Sequence, residues 1–382
     1  MDAVFCFSLE TAFINRETSI NRMRRLKMIS IIACIAYPVM TLLLFFVPDV
    51  SSGSHIVEEV LQLEGRVPNL FIAVRPFLVF FAKLLLPLPP TITISVLSGI
   101  MYIASIILSY YITKLLYGEK TAYIYPMLWL PNAYLMLFAF APNADVPGLF
   151  GALLVMYLVI RHIYKSGKSD HATVYVMLLG FLSGALTLIR ENVVSAILGA
   201  FFLLVTKEKW TKSIIYLVSA LIIPSIWQLY VIFVHNISYL TFVDISVNNA
   251  IQYGYHPFKI IRYFIYGLGP LPLFCLLMGL LSDRDRTRQI VIHFFLIPAV
   301  ALALGWPGIF EPRVALIALH ALIPTASYGF LVLSNALTNH VVYRKRLGKL
   351  LLIAIYLVHV TFNIWMAYTN NKQHFSPLWR FF

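Results

Sequence analysis

Residues 172–209 read ATVYVMLLGFLSGALTLIRENVVSAILGAFFLLVTKEK, two apolar runs separated by Arg190-Glu191-Asn192. One helix through the whole stretch would bury Arg190 and Glu191 at the centre of a membrane, at a cost of about 2.5–3.5 kcal/mol each. A turn at the membrane surface avoids that cost, so the stretch predicts two short helices, 172–189 and 193–206. The lysines that follow residue 206 then lie on the opposite side of the membrane from Arg190.

The same pattern of apolar runs and short charged loops continues along the chain. Hydrophobic residues make up 60% of the 382 residues, charged residues 12%, and the mean hydropathy is +0.83, which excludes an ordinary soluble domain. A bilayer is crossed by roughly 20 apolar residues. The runs therefore predict an all-α fold, a polytopic transmembrane bundle of about 11 helices forming one domain over 1–382. The predicted helices cover 28–47, 91–113, 121–140, 148–164, 172–189, 193–206, 213–234, 259–281, 289–305, 314–334 and 350–368.

The charge distribution predicts how this bundle is oriented. Alternate loops hold 20 of the 29 Lys and Arg residues, and basic loops face the cytoplasm. Residues 1–27 are therefore predicted to be a cytoplasmic tail, 48–90 an outer loop with interfacial helices, and 369–382 an outer C-terminal tail. The net charge of +13 is explained by these loops facing anionic membrane lipids, which argues against a nucleic-acid partner.

The sequence offers little support for a cofactor. The three cysteines, Cys6, Cys34 and Cys275, form no C-x-x-C pair, so neither a disulfide framework nor a zinc site is expected. We predict no cofactor; a divalent metal stays open, but no ligand motif supports one.

Acidic residues on the predicted outer side lie close to helix ends. Four of them, Asp49, Asp145, Glu191 and Glu311, are within two or three residues of a predicted boundary. Burial there raises the pKa of a carboxylate unless a cation is near, and Arg190 and Arg313 are near in sequence. Each residue alone can be explained as part of a turn or as a local ion pair. Four on one face favour a shared site.

The order of these elements resembles a known superfamily. An acidic residue, Asp49, follows the first helix, a stretch ending in Gly65-Arg66 comes next, and Arg75-Pro76 begins a short apolar run over 76–90. Asn143-Ala144-Asp145, Arg190-Glu191-Asn192 and Glu311-Pro312-Arg313 follow. This layout resembles the GT-C superfamily of polytopic glycosyltransferases that use lipid-phosphate sugars, such as the dolichyl-phosphate-mannose-dependent mannosyltransferases.

The resemblance implies inverting transfer of mannose or another hexose from a polyprenyl- or dolichyl-phosphate donor on the non-cytoplasmic face. The acceptor would be a glycolipid, a glycan or a protein. A phosphate leaving group needs cations rather than an acid, and the acceptor hydroxyl needs a base. Asp49 is the predicted base, a role that Glu58 or Glu59 could share. The predicted substrate-binding residues are Arg75, Asp145, Arg190, Glu191, Glu311, Arg313, His55 and Trp306.

A second interpretation is a multipass transporter or flippase for a lipid-linked or small polar substrate. Transporters usually hold ionisable residues near the middle of the membrane, whereas the charges here gather at the outer boundary. An assembly subunit without activity is a third alternative. The short loops favour a prokaryotic cell membrane over an endoplasmic reticulum membrane.

Overall fold

The computed structural model describes residues 23–43, 75–84, 90–165, 172–208, 210–253, 264–265, 267–305, 315–338 and 342–370. The regular structure in these ranges is helical. The helices are α1 (Met23–Leu43), α2 (Pro76–Leu84), α3 (Pro90–Tyr117), α4 (Glu119–Trp129), α5 (Ala133–Phe138), α6 (Asp145–Lys165), α7 (Ala172–Thr187), α8 (Val194–Lys207), α9 (Trp210–His235), α10 (Tyr239–Tyr253), α11 (Pro270–Ser282), α12 (Arg286–Gly305), α13 (Leu316–Thr338) and α14 (Val342–Asn370).

Seven of these helices, α1, α3, α6, α9, α12, α13 and α14, are long and apolar enough to cross a membrane. The predicted fold class, a polytopic transmembrane helix bundle, is confirmed, and the chain is an integral multi-pass membrane protein. The two short helices around Arg190 are also present as α7 and α8. The total of 11 membrane helices stays a prediction.

The predicted single helix over 121–140 is wrong, because the structure divides it into α4 and α5. Pro131 lies at the break, where it supplies no backbone N–H. The Asn132 side chain then accepts hydrogen bonds from the backbone N–H groups of Tyr134 and Leu135, both at 3.0 Å, and so caps the start of α5. The break turns the chain before it reaches the loop that leads to Asp145.

The predicted loop from His235 to Pro257 is also wrong in part, because residues Tyr239–Tyr253 form helix α10. Its start follows Ser238, whose hydroxyl accepts a hydrogen bond from the Leu240 backbone N–H at 3.2 Å. Leu240, Val247 and Ile251 are exposed on this helix. Their spacing places them on one side, as in a helix that lies at a membrane surface.

Small residues bring α7 and α9 together. A Cβ atom added at Gly180 would lie 2.5 Å from the Tyr216 carbonyl oxygen, and one at Gly184 would collide with the Ala220 backbone. Lipid is as apolar as the helix surfaces, so membrane helices gain mainly from close backbone approach of this kind. This packing fixes the end of α7, where the turn carrying Arg190 begins.

The bundle has two chemically different ends. The first turn of α6, the turn between α7 and α8, and α10 lie at one end, which we call the site end. Basic residues gather at the other, where Lys212 pairs with Glu208 at 2.9 Å and Arg288 pairs with Asp285 at 2.9 Å. This separation is the one that the loop charges predict. Assignment of the basic end to the cytoplasm rests on those charges.

Candidate active site

The turn between α7 and α8 presents two charged residues in succession. Backbone N–H groups of Leu188 and Ile189 donate to the carbonyls of Ala185 and Leu186, both at 3.1 Å, so the last turn of α7 tightens. Arg190 is then extended, with φ −161° and ψ 136°, and a 3₁₀ turn over Glu191–Val193 leads into α8. Tertiary packing buries this turn, so its charges require partners.

Arg190 forms a buried ion pair with Asp145, the first residue of α6, through Nη1 and Oδ1. The side chains are only 10% and 1% exposed. Asn143 orders the start of α6, because its Oδ1 accepts a hydrogen bond from the Asp145 backbone N–H at 3.0 Å. The Asn143 carbonyl in turn accepts from Ser98 Oγ at 3.2 Å. The carboxylate that holds Arg190 is therefore fixed by α3 as well as by α6.

Glu191 pairs with Arg75, the first described residue of the segment that leads to α2. Arg75 Nη2 donates to Oε1 at 2.6 Å and Nε donates to Oε2 at 3.0 Å, a two-point geometry. The Phe77 backbone N–H also donates to the Leu188 carbonyl at 3.4 Å. These contacts attach the part of the predicted outer loop, 48–90, that contains Arg75 and Phe77 to the turn between α7 and α8.

Electrostatics keep the Glu191 carboxylate ionised. Burial by itself would raise its pKa, but the charge and hydrogen bonds of Arg75, together with nearby Arg190, lower the pKa to about 2. Tyr239 at the start of α10 lies near the same groups. Burial and the Glu191 charge raise the pKa of Tyr239 to about 12. α10 therefore borders the site through a hydroxyl that stays protonated at neutral pH.

The Arg75–Glu191 pair is expected to make stability fall in acid. Because the folded pKa of Glu191, about 2, is below the unfolded value, the contribution is complete above about pH 4.5 and is lost as pH falls towards 2. We expect the pair to lose about 2 kcal/mol between pH 5 and pH 3, at 1.4 kcal/mol per pKa unit. Denaturant titrations of the purified protein at both pH values measure this loss.

The matched control for this measurement is the neutral double variant Arg75→Gln/Glu191→Gln. Other carboxylates titrate equally in both proteins. The difference between the losses of stability of the two proteins is therefore the contribution of the Arg75–Glu191 pair. The same loss in the double variant and in the wild type would show that the pair does not link folding to pH.

Gly148, in the first turn of α6, leaves room for the turn between α7 and α8. A Cβ atom there would lie 2.7 Å from Arg190 Cδ, 2.7 Å from Asn192 Oδ1 and 2.9 Å from Arg190 Cβ. We expect Gly148→Val to displace Arg190 and to destabilise the protein by about 1–3 kcal/mol. Thermal unfolding of Gly148→Val beside the wild type tests this. A wild-type midpoint for Gly148→Val would contradict the close packing.

A cavity opens beside this turn. It is lined by Arg190, Glu191, Asn192 and Ser195, and by Ala299, Leu302 and Ile317 from α12 and α13. A second cavity is lined only by apolar residues, and Ile317 borders both cavities. Its other lining residues are Ala152, Leu153, Met156, Ala196, Phe295 and Ala321. A charged cavity at the site end is thus followed by an apolar one between α6, α8, α12 and α13.

The structure brings together four of the residues predicted from the sequence: Arg75, Asp145, Arg190 and Glu191. The expected pairing of sequence neighbours is replaced by pairing across the fold, because Arg190 binds Asp145 and Glu191 binds Arg75. The other predicted residues lie outside the described ranges. They are Asp49, His55, Glu58, Glu59, Trp306, Glu311 and Arg313.

Sequence reasoning missed three residues at this site. Asn143 had a local signal, since Asn two residues before Asp145 is typical of a helix cap. Asn192 directly follows Arg190 and Glu191, but the sequence analysis assigned it no role. Gly148 had no signal, because its function depends on contacts with a turn more than 40 residues away. In the part of the chain that the structure describes, no three His, Cys, Asp or Glu residues form a group suited to a metal ion.

Comparison with known proteins supports the sequence-based recognition. The profile of the family described as dolichyl-phosphate-mannose-protein mannosyltransferase matches residues 75–230. No curated protein matches the chain in sequence. The matched segment contains Arg75, Asp145, Arg190 and Glu191, the four residues of the two ion pairs.

Solved structures share the fold at low sequence identity. ArnT from Cupriavidus metallidurans bound to undecaprenyl phosphate has a TM-score of 0.60 and 14% identity, over 90% of this chain and 75% of that one. Apo ArnT has a TM-score of 0.56 and 15% identity, over 79% and 59%. The Archaeoglobus fulgidus oligosaccharyltransferase with Zn and sulfate has a TM-score of 0.53 and 12% identity, over 89% of this chain and 52% of that one. The chain thus spans about half to three quarters of these proteins.

The recognition made from the sequence is therefore confirmed: the chain has the fold of the GT-C superfamily, and its residues 75–230 match the dolichyl-phosphate-mannose-protein mannosyltransferase family.

Proposed function

We propose that the protein transfers a hexose, such as mannose, from a polyprenyl-phosphate donor to a glycolipid, glycan or protein acceptor on the non-cytoplasmic face. The observation that carries the proposal is the buried cluster of two carboxylates and two arginines next to a cavity. The family match and the ArnT structure bound to undecaprenyl phosphate support the donor class. The orientation of the site end, away from the cytoplasm, rests on the loop charges.

Donor binding follows from the two adjoining cavities. Arg190 lines the charged cavity, and a guanidinium is suited to a phosphate through its planar set of N–H donors. The adjoining cavity is lined by apolar side chains, the kind of surface that would contact the first isoprenoid units of the tail. Asp145 holds Arg190 in place, so the cation does not need to be ordered when the donor binds.

The reaction is a single displacement. The oxygen of the acceptor hydroxyl forms a bond to the anomeric carbon while the bond from that carbon to the phosphate oxygen breaks. The bonding electrons leave with polyprenyl phosphate, and the arginines offset the charge that develops there. The hydroxyl proton passes to Asp49, the proposed base, or to Glu58 or Glu59. One attack from the face opposite the phosphate inverts the anomeric centre.

Arg75 and Glu191 have a different role in this scheme. Their charges are satisfied by each other, and they fix the end of the outer segment that carries Asp49 to the turn that carries Arg190. We propose that this pair sets the distance between base and phosphate site. His55, Trp306, Glu311 and Arg313 complete the proposed substrate site, with Arg313 as a second phosphate-binding cation.

The test is a transfer assay with the purified full chain in lipid nanodiscs. Radiolabelled polyprenyl-phosphate mannose, glucose and galactose are offered with a membrane-lipid extract, free oligosaccharides and peptides as acceptors. We expect label to move from at least one donor to one acceptor class, with release of polyprenyl phosphate. Absence of transfer together with donor movement between the leaflets of proteoliposomes would refute the enzyme and support a flippase.

A further inference from the structure

Asn192 holds a buried polar atom that the proposed mechanism does not use. The residue is 9% exposed and lines the charged cavity with Arg190 and Ser195. Within the described ranges its side-chain oxygen, Oδ1, has no hydrogen-bond partner. An unsatisfied buried acceptor costs about 1–3 kcal/mol, so its presence at a cavity calls for a reason.

The surroundings hold this side chain in place. Ser195 Oγ donates a hydrogen bond to the Asn192 backbone carbonyl at 2.8 Å, which fixes the 3₁₀ turn at the start of α8. The carboxamide lies against Gly148, since a Cβ atom there would be 2.7 Å from Oδ1. Oδ1 therefore lies against the first turn of α6, and it belongs to a side chain that also lines the charged cavity.

The chemistry of the two neighbours differs. Arg190 attracts an anion such as phosphate, whereas an amide oxygen repels phosphate oxygens and accepts from a hydroxyl. A ligand that satisfies both carries a phosphate and, a few ångströms away, a hydroxyl group. A hexose attached through its anomeric oxygen to phosphate has this arrangement. We propose that Asn192 is a specificity-determining residue, whose carboxamide accepts a hydrogen bond from one hydroxyl of the transferred sugar.

This inference rests on the proposed function, and its test uses the same assay. Wild type and Asn192→Ala are given the polyprenyl-phosphate hexose that the wild type uses best, together with its 2-, 3-, 4- and 6-deoxy analogues. Wild type should use one analogue about tenfold less efficiently, in kcat/KM, because a buried acceptor then stays unpaired. Asn192→Ala should use the parent donor about tenfold less efficiently and should not distinguish it from that same analogue.

The matched control is Asn335→Ala, an exposed Asn near the opposite end of α13, which should keep the wild-type ranking of donors. If Asn192→Ala does not fold, the kcat/KM values of the wild type for the deoxy donors decide the question. A range of less than about threefold among these values overturns the inference. Unchanged discrimination in a folded Asn192→Ala overturns it while leaving the proposed function intact. No transfer of any hexose by the wild type overturns both.

Discussion

Replacing Arg190 by alanine is expected to lower the rate of sugar transfer about 100- to 1000-fold, the usual effect of removing one group that stabilises developing negative charge. The same change removes the partner of Asp145, whose side chain is 1% exposed. A buried charge left alone in this way destabilises a protein by about 3–5 kcal/mol. The single variant therefore confounds loss of activity with loss of folding.

The double variant Arg190→Ala/Asp145→Asn separates these effects. The asparagine removes the unpaired charge and keeps the shape of the side chain, so most of the lost stability should return. Transfer should stay low, because no guanidinium faces the cavity. Unfolding midpoints and kcat/KM for the donor are compared among wild type, Arg190→Ala, the double variant and Arg190→Lys.

Arg190→Lys supplies the remaining comparison. This variant keeps the positive charge and the pairing with Asp145 but loses the planar donors of the guanidinium. We therefore expect wild-type stability. Transfer should fall about tenfold or more, because one bidentate contact is lost. Wild-type transfer by the double variant would show that Arg190 serves folding alone and would remove it from the proposed phosphate site.

The position of this site could be predicted from the sequence because the cost of burying charge in a membrane constrains the chain locally. Arg190-Glu191 between two apolar runs requires a turn, and alternation of basic loops then places that turn with Asp145 at one end. The partners could not be predicted. Arg75 lies 116 positions before Glu191, and which carboxylate meets which guanidinium depends on how α6, α7 and α2 pack.

Proline shows a second limit of sequence reasoning. Pro126, Pro224, Pro298 and Pro324 lie inside helices, while Pro131 lies at a break. Membrane helices tolerate proline, since neighbouring groups satisfy the freed carbonyls. Pro131 differs in being followed by Asn132, whose side chain caps the next helix and whose Nδ2 donates to the Gly267 carbonyl. The prediction of one helix over 121–140 assigned no cap to Asn132, and the partner of its Nδ2 depends on tertiary packing.

The partner in a close helix–helix contact also could not be predicted from the sequence. Gly180 and Gly184 are spaced one helical turn apart, a pattern that favours packing against another membrane helix. The sequence does not reveal that the partner is α9 rather than α8. The apolar cavity between α6, α8, α12 and α13 is likewise a product of four helices that are distant in the chain.

Asp49→Asn is expected to give the second large effect, a decrease in kcat of about 100- to 10,000-fold, because a positioned base contributes that much when it removes the hydroxyl proton in the transition state. The asparagine has the size of the aspartate and cannot take the proton. Binding of the donor depends on Arg190 and the apolar cavity, so the KM for the donor should change less than threefold. Steady-state transfer with varied donor and varied acceptor measures both constants.

Glu58→Gln and Glu59→Gln are the matched controls for this assignment, since both carboxylates belong to the same outer segment. A base at Asp49 predicts a large decrease only in Asp49→Asn, with unfolding midpoints equal to wild type in all three proteins. If Asp49→Asn keeps full activity and Glu58→Gln or Glu59→Gln loses it, the base is the glutamate, and the Arg75–Glu191 pair then anchors that part of the segment. Full activity in all three variants would contradict base catalysis from this segment, because no other carboxylate is proposed to receive the hydroxyl proton.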